Sequence, residues 1–181
     1  MKLMIASDIH GSARYATQLL AAFEREGADR LLLLGDLLYH GARNDLPDGY
    51  DTKAVFAMLN GVKEKILAVR GNCDSEVDQM VLDFPMMVDY ALLDIDGLAV
   101  FATHGHVFSP DAPPPMQPGT LFLSGHTHVT SCAQKNGCWF ANPGSVSIPK
   151  ENTKCGYMIL EQHRLIARAL RGTEVGSWVI A

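Results

Sequence analysis

The feature that most constrains this chain is a repeated ending. Apolar runs of strand length at Lys2–Ala6, Leu31–Leu34, Ile66–Val69, Leu98–Thr103 and Leu121–Ser124 each stop abruptly, and Asp, Asn or His follows. The runs are too short for helices and read as buried strands. The first delivers Asp8 and His10, the second Asp36 after Gly35, and the third Asn72 after Gly71. The last two deliver His104 with His106, and His126 with His128. In open α/β sheets, ligands bind beyond the carboxyl ends of the strands. Five such ends with one outcome therefore predict one rim where Asp, Asn and His converge.

Between the runs the pattern alternates at first. Ser12 reads as an N-cap, Tyr15, Leu19, Ala22 and Phe23 share a helical face, and Gly27 closes that helix. Residues 39–50, with Gly41, Pro47 and Gly49, form a loop, and Thr52–Leu59 reads as a short helix stopped by Asn60-Gly61. Ser75 and Asp78 fit a capping box that opens another short helix, which ends before Pro85. The later half reads mostly as strands, at 138–141, 156–160, 165–170 and 175–180, with a tight turn at 161–164. Ser109–Gly119 holds five prolines in eleven residues and is a stiffened surface loop. Helices alternating with strands and then strands alone imply a layered α/β sandwich, with residues 1–181 as one domain.

Composition narrows the function. Hydrophobic residues make up 48% and charged residues 19%, which excludes a disordered chain. The net charge of −5 is the wrong sign for a general nucleic-acid or anionic-membrane binder. No apolar stretch approaches the ~20 residues that span a bilayer, and no secretory h-region follows Lys2. Four cysteines without a CxxC pair argue for reduced thiols and a cytoplasmic location.

The spacing has a chemical use. Asp8 and His10 are two residues apart, as are His126 and His128, and residues two apart in extended backbone point the same way. Carboxylate, amide and imidazole donors suit Mn, Fe, Ni or Zn. The seven ligands Asp8, His10, Asp36, Asn72, His104, His126 and His128 exceed one tetrahedral ion. They suit two ions sharing a carboxylate, the usual apparatus for phosphoester hydrolysis. Any one of these residues alone reads more readily as a turn former or a surface histidine; five strand ends together do not, since turns seldom need His.

Asp8-Ile9-His10-Gly11, Gly35-Asp36, Gly71-Asn72-Cys73-Asp74, Thr103-His104-Gly105-His106 and Gly125-His126-Thr127-His128, in this order, resemble the calcineurin-like metallophosphoesterase superfamily. Gly-Asn-Cys-Asp, the lack of a cap insertion and Asn142–Pro149 resemble its small bacterial phosphodiesterase branch. The resemblance implies an α/β/β/α sandwich of two mixed β-sheets flanked by helices. It implies one ion on Asp8, His10, Asp36 and His128 and another on Asp36, Asn72, His104 and His126, with Asp36 bridging and Mn²⁺ the commonest activator. The implied reaction is in-line attack of a metal-bridging hydroxide on a small phosphodiester, with Asp36, Asn72, Cys73 and His104 in the catalytic set. Most hydrolytic members carry His where this chain has Cys73. A thiol is a weak donor, so the exchange counts against esters with poor leaving groups. Nothing near Cys73 in sequence offers a base that would make it a nucleophile.

The alternative is a non-catalytic metal-binding interaction module, because the related retromer scaffold subunit also lacks that His. The full ligand set favours an enzyme. His40 with Arg43 reads either as a substrate contact or as part of a solvated loop, Arg70 as an ion-pair residue ahead of a phosphate contact, and His106 as a prop for the His104 ring. Loops at 39–50, 108–118 and 142–149 are the expected groove walls, and a homo-oligomer is left open.

Overall fold

The computed structural model describes residues 1–180. Its elements follow in the order β1 (Leu3–Ala6), α1 (Ala13–Glu26), β2 (Arg30–Leu33), α2 (Thr52–Asn60), a 3₁₀ turn (Lys63–Lys65), β3 (Ile66–Ala68), α3 (Glu76–Val81), β4 (Tyr90–Ile95), β5 (Leu98–Thr103) and β6 (Leu121–Leu123). Then come β7 (Thr130–Lys135), β8 (Cys138–Pro143), β9 (Gly156–Glu161), β10 (Arg164–Ala169) and β11 (Glu174–Val179). The strands form two mixed sheets, ordered β11-β10-β9-β1-β2-β3 and β4-β5-β6-β8-β7. The expected two-sheet sandwich is the observed fold.

The first sheet explains its own sequence. β1, β2 and β3 are parallel neighbours; β1 and nearly all of β2 are buried on both faces, so their runs are continuously apolar rather than alternating, while β3 is the half-buried edge. Leu3, Ile5 and Leu32 face the second sheet, where they meet Val100, Leu121 and Leu123. Met4, Leu31 and Leu33 face the other way, toward Leu19, Phe23, Val55 and Leu59 of α1 and α2. At ~1.5–3 kcal/mol per fully buried aliphatic side chain, these two layers are the main cohesive force.

The helix boundaries follow local chemistry. The Ser12 hydroxyl accepts from Tyr15 N at 3.3 Å, and Gly27 ends α1 in the left-handed conformation. Asp78 reaches back to accept from Ser75 N at 2.8 Å. Gly61 differs from the expected left-handed stop: it stays right-handed at φ −62° and caps α2 by donating to Ala57 O. The chain can therefore turn directly into the 3₁₀ segment.

Two strands escape the sequence reading. β4 and β7 are the antiparallel edges of the second sheet, paired with β5 and β8. Their signal lies in the turns. Asp96-Gly97 and Asn136-Gly137 take φ 53°/85° and 52°/76°, the two-residue hairpin geometry that Asp-Gly and Asn-Gly favour. The outer face of this sheet carries a ladder of Tyr90, Phe101, Phe122 and Phe140, with ring centroids 5.1–5.4 Å apart. Phe108 closes on it edge-on from the segment that precedes the proline-rich loop.

Candidate metal centre

β1, β2 and β3 end side by side in one sheet, and β5 and β6 end side by side in the other. Their carboxyl ends face one another across the sandwich. Asp8, His10, Asp36, His104 and His128 are buried there, while Asn72 and His126 lie nearer the surface. All seven expected ligands meet on this rim.

The backbone that achieves this is not extended, and here the structure corrects the sequence expectation. Asp8, His10, Asp36, His126 and His128 all sit at positive φ, between 49° and 67°. An L-residue pays roughly 1–2 kcal/mol for that conformation. Neighbouring segments hold it in place: Asp8 N donates to Gly35 O at 3.1 Å, and His10 N donates to Asp36 O at 2.9 Å. The parallel pairing of β1 and β2 thus continues past the sheet and turns both chains inward together.

The ring orientations define the chemistry. His10 Nδ1 meets Tyr39 O at 2.8 Å, His104 Nδ1 meets Leu34 O at 2.7 Å, and His128 Nδ1 meets Ile148 O at 2.9 Å. A carbonyl only accepts, so each Nδ1 carries hydrogen and each ring turns its Nε2 into the site, as a lone pair whenever the ring is neutral. There His10 Nε2 and His128 Nε2 lie 3.2 Å apart, and His128 Nε2 lies 3.2 Å from Asp8 Oδ1. Asp8 Oδ1 is buried without a hydrogen bond. Asp36 Oδ2 sits between two rings, 3.6 Å from His10 Nε2 and 3.5 Å from His104 Nε2. Beyond it, His104 Nε2 lies 3.0 Å from Asn72 Oδ1 and 3.2 Å from His126 Nδ1.

Lone pairs facing lone pairs need positive charge between them. Protons can supply it, and so can divalent cations, for which this set of N and O donors is well suited. Three trios have all their ligand atoms within 4.8 Å: Asp8-His10-His128, Asp8-Asp36-His104 and His10-Asp36-Cys73. Burial pushes the Asp8 carboxyl up, but the His10 and His128 rings outweigh it and hold Asp8 well below the usual carboxylate range. Burial and the neighbouring His104 keep His126 below the ordinary imidazole value. Burial, together with Asp36, pushes the Cys73 thiol up to about 12.

A supporting shell fixes these positions. Asp74 accepts from Asp36 N at 2.8 Å, Leu37 N at 2.9 Å and Gly71 N at 2.7 Å, which locks the β2 and β3 turns together. Asn142 donates to Gly125 O at 2.7 Å, and the Ser145 hydroxyl donates to Asp8 O at 2.7 Å. A Cβ on Gly71 would stand 2.1 Å from Asp36 Oδ1, and one on Gly125 would stand 1.9 Å from Ser7 Oγ, so both positions require glycine. The sequence reading left Asp74 without a role. The signal that could have found it is a carboxylate following a ligand, Asn72, that is bracketed by a glycine and a thiol.

Comparison with known proteins decides the family. Residues 1–164 match the model of the calcineurin-like phosphoesterase superfamily domain. The chain belongs to this superfamily. A curated relative, the phosphodiesterase YfcE of Escherichia coli K12, is 43% identical over 175 residues, 97% of this chain and 95% of the relative. The solved structure of the E. coli phosphoesterase YfcE superposes with a TM-score of 0.97 at 42% identity, covering 100% of both chains. Vps29 of Entamoeba histolytica in its zinc complex shares the fold alone, with a TM-score of 0.61 at 18% identity, covering 92% of this chain and 91% of that one.

Around this superfamily centre the remaining candidates separate. A cavity of about 510 Å³ opens beside Asp36, Asn72, Cys73 and His128, and Arg43 and Lys150 stand on its wall. His40 does not line it; its ring packs edge-on against Tyr39 and Tyr50. His106 makes no hydrogen bond to His104, whose ring Leu34 O already orients; the two rings only meet edge-on at 5.4 Å. Residues 142–147 lie buried beneath Asp8 and act as support rather than as a wall, so Lys150 is the wall residue that the sequence reading missed. Arg70 pairs with Asp89 at 2.6 Å, the structural role expected of it.

Proposed function

We propose that this chain is a metal-dependent phosphodiesterase acting on a small phosphodiester. The observation that supports this most directly is the acceptor-only cluster at the carboxyl ends of both sheets, in a chain 43% identical to a phosphodiesterase. In this reading Asp8, His10, Asp36 and His128 hold one divalent ion, and Asp36, Asn72, His104 and His126 hold a second, with Mn²⁺ as the activating metal. When bound, such ions lower the pKa of water and offset charge on the phosphate. Asp36 serves both positions because its Oδ2 stands between the His10 and His104 rings. Water attacks phosphorus in line with the leaving oxygen, and no side chain forms a covalent bond to the substrate.

Cys73 fills the place beside Asn72 where an acid would protonate the leaving group. Its N–H donates to Asp36 Oδ1 at 2.8 Å, so its backbone orients the shared carboxylate while its thiol remains neutral. Esters whose leaving oxygen needs no proton are then the better substrates.

The test is hydrolysis of an activated aryl phosphodiester with and without Mn²⁺, together with metal analysis of the Mn²⁺-reconstituted protein. The expected result is metal-dependent turnover and about two ions per chain. A stoichiometry of one with no gain from added metal overturns the shared site. No turnover with any divalent metal favours the scaffold alternative instead.

A further inference from the structure

The cavity beside the centre carries more positive charge than a single phosphodiester needs. Arg43 and Lys150 line it, and among the described residues neither has an ion-pair partner. The only carboxylate on the same wall is Asp36, which faces the rings. This is a local excess of cations in a chain whose net charge is −5.

Both cations are tied to the site by their backbones. Arg43 lies in the turn 41–44, where Asn44 N donates to Gly41 O at 3.2 Å. That turn closes on the centre: a Cβ at Gly41 would stand 3.1 Å from Cys73 Sγ. Lys150 N donates to His128 O at 3.0 Å. Arg43 therefore rides beside Asn72-Cys73, and Lys150 beside His128. With two divalent ions bound, Asp8, Asp36 and an attacking hydroxide would leave about +1, which already balances a diester that carries −1. Two further unpaired cations on the wall are surplus to the scissile phosphate.

We infer that the substrate is a phosphodiester one arm of which carries a second anionic group, phosphate or carboxylate, read by Arg43 and Lys150. This rests on the phosphodiesterase reading above and specifies its substrate class. A guanidinium presents a planar fork that binds either anion through two parallel hydrogen bonds, and a lysine adds a point charge. The groups are solvent-exposed, so the preference weakens as salt rises.

The experiment compares p-nitrophenyl ethyl phosphate with two versions whose ethyl arm ends in a phosphate or a carboxylate. The kcat/KM ratio of charged-arm to neutral-arm ester is measured for the wild type, Arg43→Gln, Lys150→Gln and the double variant. The expected wild-type ratio is roughly ten in favour of a charged arm, falling several-fold in each single variant and to about one in the double variant. The phosphate and carboxylate arms distinguish the two anions. Equal losses on neutral-arm and charged-arm esters would place Arg43 and Lys150 on the scissile phosphate and overturn the inference. So would a charged-arm advantage that survives in the double variant, because the metal centre would then be reading the anion. Calorimetric binding of ethyl methylphosphonate and its phosphate-ended counterpart to the Mn²⁺-loaded protein supplies the same ratio without turnover. If no ester is hydrolysed, the phosphodiesterase reading falls, while this binding ratio still decides the anion preference.

Discussion

Positive-φ residues other than glycine gather at the two opposite ends of this sandwich, and they serve different ends. At the carboxyl ends of β1, β2 and β6 they are Asp8, His10, Asp36, His126 and His128, mostly buried, with side chains converging on one another, while Glu151 and Asn152 take positive φ in the exposed turn after Lys150. At the far end they are Asp96, Asn136, Gln162 and His163, which turn the β4–β5, β7–β8 and β9–β10 hairpins. In the hairpins the backbone shape is the purpose, and any residue that tolerates it will do. At the metal centre the shape is the means of aiming a donor atom, so the side chain cannot be exchanged. The same local strain is therefore replaceable at one end and functional at the other.

The comparison predicts a graded set of outcomes. The largest effect belongs to Asp36→Asn, which under the proposed two-ion site would weaken both metal positions at once. It is expected to lower kcat/KM by more than the ~100-fold that outer-shell changes reach. His128→Ala touches one position and is expected to cost less. Equal residual activity in the two variants, with metal content unchanged, would mean that Asp36 is not shared.

Next comes Asp74→Asn. An amide cannot replace a carboxylate that accepts from three backbone N–H groups. Metal affinity is expected to fall roughly 10–100-fold, as for other groups that orient ligands. A metal titration checks this, and unchanged affinity would detach Asp74 from the centre.

Gly71→Ala brings a methyl group against Asp36. The expected cost is about 1–3 kcal/mol of stability, with a drop in metal content. Denaturant unfolding measures the first and metal analysis the second. Full stability with full metal content would show that the β3 turn has room to shift.

Under the proposed water attack Cys73 forms no bond to substrate, so Cys73→Ser is expected to keep activity on an aryl diester. Loss of that activity with metals still bound would make Cys73 a nucleophile and overturn water attack. Cys73→His is expected to raise kcat/KM on unactivated diesters by supplying a proton donor.

The smallest effect lies at the far end. Replacing Gln162-His163 by Asn-Gly installs the pair that this turn prefers. The expected result is unchanged activity and a Tm higher by about 2–4 °C, equivalent to ~1 kcal/mol in a chain of this size. A loss of activity there would couple the two ends and break the distinction drawn between them.

Much of this was legible in the residues alone. Short apolar runs ending in Asp, Asn and His were enough to imply buried parallel strands and one rim of ligands, because burial on both faces and chelation each demand particular residue types. The N-cap at Ser12, the reach of Asp78 back to Ser75 and the hairpin at 161–164 followed from local hydrogen bonding and turn chemistry. The edge strands β4 and β7 lack a buried apolar run: β7 turns Ser131, Ala133 and Lys135 to solvent, and β4 exposes even Tyr90 and Leu92, so only Asp96-Gly97 and Asn136-Gly137 announce them. What the tertiary structure alone decided is direction. The left-handed backbone at the ligands, the three carbonyls that set the histidine tautomers, the clamp of Asp74 across two turns and the approach of Arg43 and Lys150 to one cavity all join residues distant in sequence. No local propensity encodes them, because each exists only where separate strands and loops meet at the same end of the sandwich.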